Sequence, residues 1–126
     1  MSDFNQLLEL ARRKHTFDQL HAWSQGANTY LNSLPDELAE ALHELALGRT
    51  CYLEEELGDI LWVYLNALLA LESEQGIRLE KVLARAVKKF TERMQGIENG
   101  GSWDAVKLQQ KARIAAEYLI AQGKDD

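Results

Sequence analysis

Apolar side chains recur along almost the whole chain at intervals of three and four residues, the spacing that lines one face of an α-helix. No stretch alternates apolar and polar positions as a half-buried strand does. Residues 3–14 read as a first helix, with Phe4, Leu7, Leu8 and Ala11 on one side. A second is expected over residues 17 to 32 or 33. Thr16 and Gln19 suit a capping box at its start, and Leu20, Trp23, Ala27, Tyr30 and Leu31 form its stripe. A third starts near Ser33, places Pro35 in its first turn, and ends at Leu47 before Gly48. The fourth covers residues 53–74 and stops at Gly76, and the fifth covers residues 79–97 before Asn99-Gly100-Gly101. Ser102 is placed to cap a last helix over residues 103–122, which Gly123 terminates.

This pattern predicts an all-α fold: a four-helix-bundle-like core of antiparallel helices with additional terminal helices. At 126 residues the chain is the length of one domain, so residues 1–126 are read as a single unit. The composition, 46% hydrophobic and 27% charged, is that of a globular protein. Cys51 is alone, so no intrachain disulfide forms and a reducing compartment is expected. No secretory leader opens the chain, and the longest apolar stretch, residues 57–71, is short for a membrane span and carries Asp59 and Asn66. The expected location is the cytoplasm, with no membrane contact. A net charge of −6 argues against a nucleic-acid polymer as partner but leaves room for a nucleotide carried in with cations.

The fourth helix changes the picture. Leu53, Leu57, Ile60, Leu61, Tyr64, Leu68 and Leu71 share one broad face, yet the opposite side carries Glu56, Asp59, Trp62, Val63, Asn66 and Ala70 instead of a solvated surface. The helix is therefore expected to be covered on both sides, with Asp59 and Asn66 at least partly buried. A buried carboxylate needs a cation or hydrogen-bond donors. The third helix adds an acidic stripe of Glu37, Glu40 and Glu44. Taken singly, such stripes are most often solvated faces, or acids favoured at a helix start. Together, Glu37 with Glu40 and Glu56 with Asp59 form two i, i+3 pairs. A short turn around Gly48 would run the helices antiparallel and bring four carboxylates together, and Gly58 would admit a close neighbour. Oxygen ligands without cysteine suit Mg²⁺, or Mn²⁺. On the fifth helix Lys89 and Arg93 flank an apolar stripe, as phosphate-holding cations or as ordinary surface charges. A di-iron reading of Glu40 and His43 fails for want of a second E-x-x-H.

In combination these residues resemble the MazG-like, all-α nucleoside triphosphate pyrophosphohydrolases, whose signature is an E-x-x-E pair followed by an E-x-x-D pair. Here Glu37 and Glu40 precede Glu56 and Asp59, and Asn66 follows Asp59 by seven residues. Lys89-Phe90-Thr91-Glu92-Arg93 is similar to the family's K-F-x-x-R segment. The resemblance runs over residues 35–97, and weakly over His15 to Asp18.

It implies that Glu37, Glu40, Glu56 and Asp59 bind Mg²⁺ and act in catalysis, that Asn66, Lys89 and Arg93 contact the substrate, and that water attacks the α-phosphorus to release pyrophosphate. It also implies a homodimer or homotetramer. Val87 stands where the family often has asparagine, and Asn32, Ser33, Leu34 and Pro35 stand just before the first acidic pair, where the family often has a basic residue. The alternative reading is accordingly a catalytically weak or inactive nucleotide-sensing module.

Overall fold

The computed structural model describes residues 2–21 and 26–123. Among them are five helices and no strand: α1 (Asp3–Leu20), α2 (Ala27–Leu47), α3 (Thr50–Gln75), α4 (Leu79–Glu98) and α5 (Trp103–Gly123). The all-α expectation is met. The chain divides into two compact units, Met1–Leu79 and Glu80–Asp126.

In the first unit α2 and α3 form a hairpin, and α1 lies against α3. The hairpin turns on Gly48, whose φ of 67° is the left-handed conformation that glycine adopts without steric cost. Its N–H donates to the carbonyls of Glu44 and Leu45, and α3 begins two residues later. Two long helices joined so tightly run antiparallel.

Two core clusters meet on α3. Ala11 packs with Leu65 and Leu69, flanked by Leu7 and Leu8, and Tyr30 packs with Val63 and Ala67, flanked by Leu34. Trp62 touches both clusters. Small residues at Ala11 and Ala67, neither with any exposed surface, let the helices approach closely.

The far end of the hairpin is also fastened. Glu74, at the end of α3, accepts a hydrogen bond from the Ala27 backbone N–H at 2.8 Å. The carboxylate thereby serves the first turn of α2, whose backbone donors and dipole favour an acid. It fits because residue 26 is glycine: a Cβ there would stand 2.5 Å from Glu74 Oε1.

The helix boundaries at the start of the chain differ from those expected. The first helix does not stop before Thr16 but continues to Leu20, and the Thr16 hydroxyl donates backwards to the Arg12 carbonyl at 3.2 Å instead of capping a new helix. The expected second and third helices are, from Ala27 on, one helix, with Pro35 in its interior. Ser33 likewise donates backwards, to the Tyr30 carbonyl at 2.8 Å. Burial of Ala27, Tyr30, Ala41 and Glu44 on both sides of Pro35 outweighs the backbone bond that proline removes. Trp23, expected in that stripe, lies outside the described residues.

The second unit is a hairpin of α4 and α5. Ser102 caps α5 as expected, accepting from the N–H groups of Asp104 and Ala105. Gly96 allows close packing, since a Cβ there would lie 2.8 Å from Val106. Bidentate pairs cross between the helices, Arg85 with Glu117 and Arg113 with Glu92. The pairing of 85 with 117 and 92 with 113 makes the two helices antiparallel.

Candidate metal and nucleotide site

Because α2 and α3 run antiparallel about Gly48, residues 37 and 40 stand opposite 59 and 56. The structure brings Glu37, Glu40, Glu56 and Asp59 together: one carboxylate oxygen from each lies within 4.8 Å of the others. Among the described residues none of the four has a basic partner within ion-pair distance. Glu37 and Glu56 are half-buried, and each has an Oε2 that is buried without any hydrogen-bond partner.

The cost of this arrangement shows in the acidities. A hydrogen bond with Glu40, then partial burial, then the charges of Glu40, Asp59 and Glu37 push the Glu56 carboxyl up to about 7. Partial burial, followed by the charges of Glu40 and Asp59, raises the Glu37 carboxyl. A proton relieves part of the repulsion, and a cation would relieve more of it. Unsatisfied oxygens on an all-carboxylate set fit a hard divalent ion such as Mg²⁺ or Mn²⁺.

Glu44, placed with Glu37 and Glu40 in one acidic stripe by the sequence, is separated from them by its partner. Arg49 grips it with two hydrogen bonds, Nε to Oε2 at 2.8 Å and Nη2 to Oε1 at 2.5 Å, and stacks on Tyr52 at 4.1 Å. The bond to Arg49 holds the Glu44 carboxyl below its ordinary range. This acid is already neutralised.

Burial along α3 is uneven. Asn66 is 2% exposed, but Asp59 is exposed, contrary to expectation. Leu57 and Leu61 are each 49% exposed and Tyr64 44%, so the apolar face at this level is only about half covered. Among the described residues no neighbour uses the room at Gly58, where no heavy atom lies within 4 Å of the position a Cβ would take.

Seven residues are close to two helical turns, so Asn66 follows Asp59 on the same side of α3, about 10 Å along the axis. Its Nδ2 donates to the Trp62 carbonyl at 2.8 Å, while its Oδ1 is buried and unpartnered. That oxygen is an acceptor that no donor among the described residues satisfies.

Lys89 and Arg93 belong to the second unit. Arg93 donates from Nε to Gln110 Oε1 at 2.9 Å and lies over the rings of Phe90 and Trp103, at 5.3 and 5.2 Å. Lys89 lies near the Phe90 ring. Gln110 completes the arrangement by donating from Nε2 to the Lys89 carbonyl at 2.9 Å and to Glu92 at 3.2 Å. Nothing in the sequence singles out Gln110. Val87 is 67% exposed.

Comparison with known proteins bears on this geometry. No curated protein and no solved structure gives a significant match to the chain. A family model does match: residues 25–97 fit the MazG nucleotide pyrophosphohydrolase domain, a span that holds all four converging carboxylates, Asn66, Lys89 and Arg93. With more than half of its length in that match, the chain belongs to the MazG nucleotide pyrophosphohydrolase family.

Proposed function

We propose that this protein hydrolyses nucleoside triphosphates, ribo- or deoxyribo-, to the monophosphate and pyrophosphate, with Mg²⁺ (or Mn²⁺) as cofactor and water attacking the α-phosphorus. The observation that carries the reading is the convergence of Glu37, Glu40, Glu56 and Asp59 without any basic partner, two of them with buried, unsatisfied oxygens. Family membership supplies the reaction class.

The four carboxylates hold the cation. When bound, it supplies charge neutralisation for the triphosphate and a lowered pKa for the attacking water. The carboxylates fix its position before substrate arrives, since the α2–α3 hairpin sets their spacing. Asn66 orients the nucleoside through its free Oδ1. Lys89 and Arg93, matched to the K-F-x-x-R segment, are assigned to phosphate oxygens.

We take both compact units to form one functional domain, a view supported by a family match that runs through the boundary at residue 79. We also assign a homodimer or homotetramer, because the exposed faces of α2 (Leu38, Leu42, Leu45) and α3 (Leu57, Leu61, Tyr64) form an apolar surface of the kind that association covers. No described helix is long and apolar enough to cross a membrane. That fact and the free Cys51 suit a cytoplasmic enzyme.

The test is pyrophosphate release from a panel of nucleoside triphosphates with Mg²⁺, beside Asp59→Ala. Turnover by the wild type that the substitution removes is expected. Binding of Mg²⁺-nucleotide without turnover would favour the sensing module instead.

A further inference from the structure

The closed end of the α2–α3 hairpin has almost no core. Of residues 42–62, all of them described, Glu44 alone is buried, while Leu42, Leu45, Leu47, Tyr52, Leu57 and Leu61 stand at the surface. Buried apolar side chains tie α3 to α2 from Val63 onward. Nearer Gly48, where the carboxylates converge, they do not fix the register of the two helices.

A buried carboxylate at such a place is costly unless it is paired. Glu44 receives both arms of the Arg49 fork, Nε at 2.8 Å and Nη2 at 2.5 Å. Arg49 is also where α3 starts: it is the N-cap residue, and its carbonyl accepts the Leu53 N–H at 2.9 Å. Its guanidinium lies 4.1 Å from the centre of the Tyr52 ring, in the first turn of α3. The side chain thus grips α2, while the backbone and the ring beneath it belong to α3. Two parallel bonds from a planar fork set orientation as well as distance. The clamp is close to the acidic cluster on both helices. Glu40 stands one turn before Glu44, and Glu56 one turn after Tyr52, each about 6 Å along its axis. These two glutamates are hydrogen-bonded to each other across the hairpin.

We propose that Arg49 is a positioning residue for the metal site: through Glu44 and Tyr52 it holds the register in which Glu40 faces Glu56, and with it the spacing of the four carboxylates. The proposal rests on the reading of that cluster as a cation site. It goes beyond that reading in placing part of the site's affinity in a side chain that touches neither ion nor substrate. Charge alone predicts the opposite. Arg49 is itself a cation near the cluster, and its removal leaves Glu44 as a further uncompensated acid, so on Coulombic grounds its loss strengthens cation binding. Only a geometric role makes the loss weaken it.

The experiment is calorimetric titration of the nucleotide-free full chain with Mn²⁺, beside thermal midpoints in EDTA. Arg49→Gln is expected to weaken Mn²⁺ binding about tenfold, as loss of an outer support of a metal site does, and to lower the midpoint, because Glu44 is left buried without its partner. Arg49→Lys keeps the charge but neither the fork nor the stacking, and is expected to stay at least about threefold weaker than wild type. Glu44→Met/Arg49→Met removes both charges and should restore the midpoint, while Mn²⁺ binding remains weak. Arg12→Gln takes the same charge from the same unit by breaking the pair with Glu72, and its affinity is expected within about twofold of wild type. Unchanged or tighter Mn²⁺ binding by Arg49→Gln overturns the proposal. Full affinity in the lysine variant or in the methionine double does so too, since affinity would then follow charge or stability instead of geometry. A wild type that binds no Mn²⁺, or Asp59→Ala that binds it as tightly, overturns the cation reading and the proposal with it. Failure of the hydrolase reading alone is separately visible, as absence of pyrophosphate release from a wild type that binds Mn²⁺ about tenfold more tightly than Arg49→Gln.

Discussion

Between Thr50 and Leu61 α3 keeps most of its side chains at the surface and carries Glu54, Glu55, Glu56 and Asp59, whereas from Val63 to Ala70 every residue but Tyr64 is buried. One helix thus contains a segment stabilised by packing and a segment burdened by like charge. The second segment depends on the first, because acids that repel one another stay together only if something else fixes the backbone beneath them. Glu44, one turn before Gly48, shows that this hairpin does supply a basic partner to a neighbouring acid. The four converging carboxylates lack one, and a lone pair of satisfied acids would have raised no suspicion of a cation.

Substitutions in the two halves should therefore fail in different ways. Asp59→Ala is expected to cut Mg²⁺-dependent pyrophosphate release by about 100-fold or more, by analogy with the loss when even indirect supports of a metal site are removed, while the thermal midpoint without metal stays the same or rises. A fall in both quantities would erase the distinction between the halves. Leu69→Ala should do the opposite. This residue is 1% exposed between α1 and α3, and truncation is expected to cost about 2–5 kcal/mol in denaturant unfolding. Unfolding midpoint and slope check it, and residual activity at low temperature should persist.

A pH titration sharpens the comparison further. The Glu56 carboxyl rises in the folded state from an ordinary 4.5 to about 7. The metal-free protein accordingly has its full stability, as far as this group is concerned, below pH 4.5 and loses part of it as pH rises through 7. Thermal midpoints measured in EDTA should decline across that window, Mg²⁺ should restore them at pH 8, and Glu56→Gln should flatten the decline and abolish the Mg²⁺ response. The smallest effect is expected at the remote end of the hairpin. Gly26 has a φ of 80° with ψ of −147°, a region left almost entirely to glycine, and its Cβ position meets Glu74, so Gly26→Ala should cost about 1–3 kcal/mol from the backbone conformation, with a weaker Mg²⁺-induced shift in the thermal midpoint.

Much of this was readable from the residues. The three- and four-residue spacing identified the helices, Gly48, Gly76 and Ser102 marked their ends, and the two acidic pairs on helices joined by a short turn predicted the convergence. The boundary at Ser33–Pro35 misled because a serine and a proline at a helix start look the same as a serine and a proline whose cost is met by burial on either side. Thr16 with Gln19 is similarly ambiguous, since a threonine hydroxyl serves either a new helix or the preceding turn. The Glu44–Arg49 pair spans the left-handed Gly48, and its contact depends on the conformation of that turn rather than on helical spacing. Exposure of Asp59 was not legible, because pattern alone does not say how far along a helix its neighbours reach. Gln110 carries no pattern signal at all; its importance comes from standing opposite Lys89, Glu92 and Arg93.

The bond from Ala27 to Glu74 gives the hairpin a second fastening, at the end opposite Gly48. Two rods hinged at one end answer mutual repulsion by swinging apart, and the gap at mid-length widens freely. Rods latched at both ends can only bow, which is far stiffer. The four carboxylates sit between the latches, so their repulsion is converted into a standing load rather than relaxed by motion, and a cation that removes the load meets a cradle already at its working width. The affinity of that cradle is then partly set by a glutamate fifteen residues beyond Asp59, about 22 Å along the same helix.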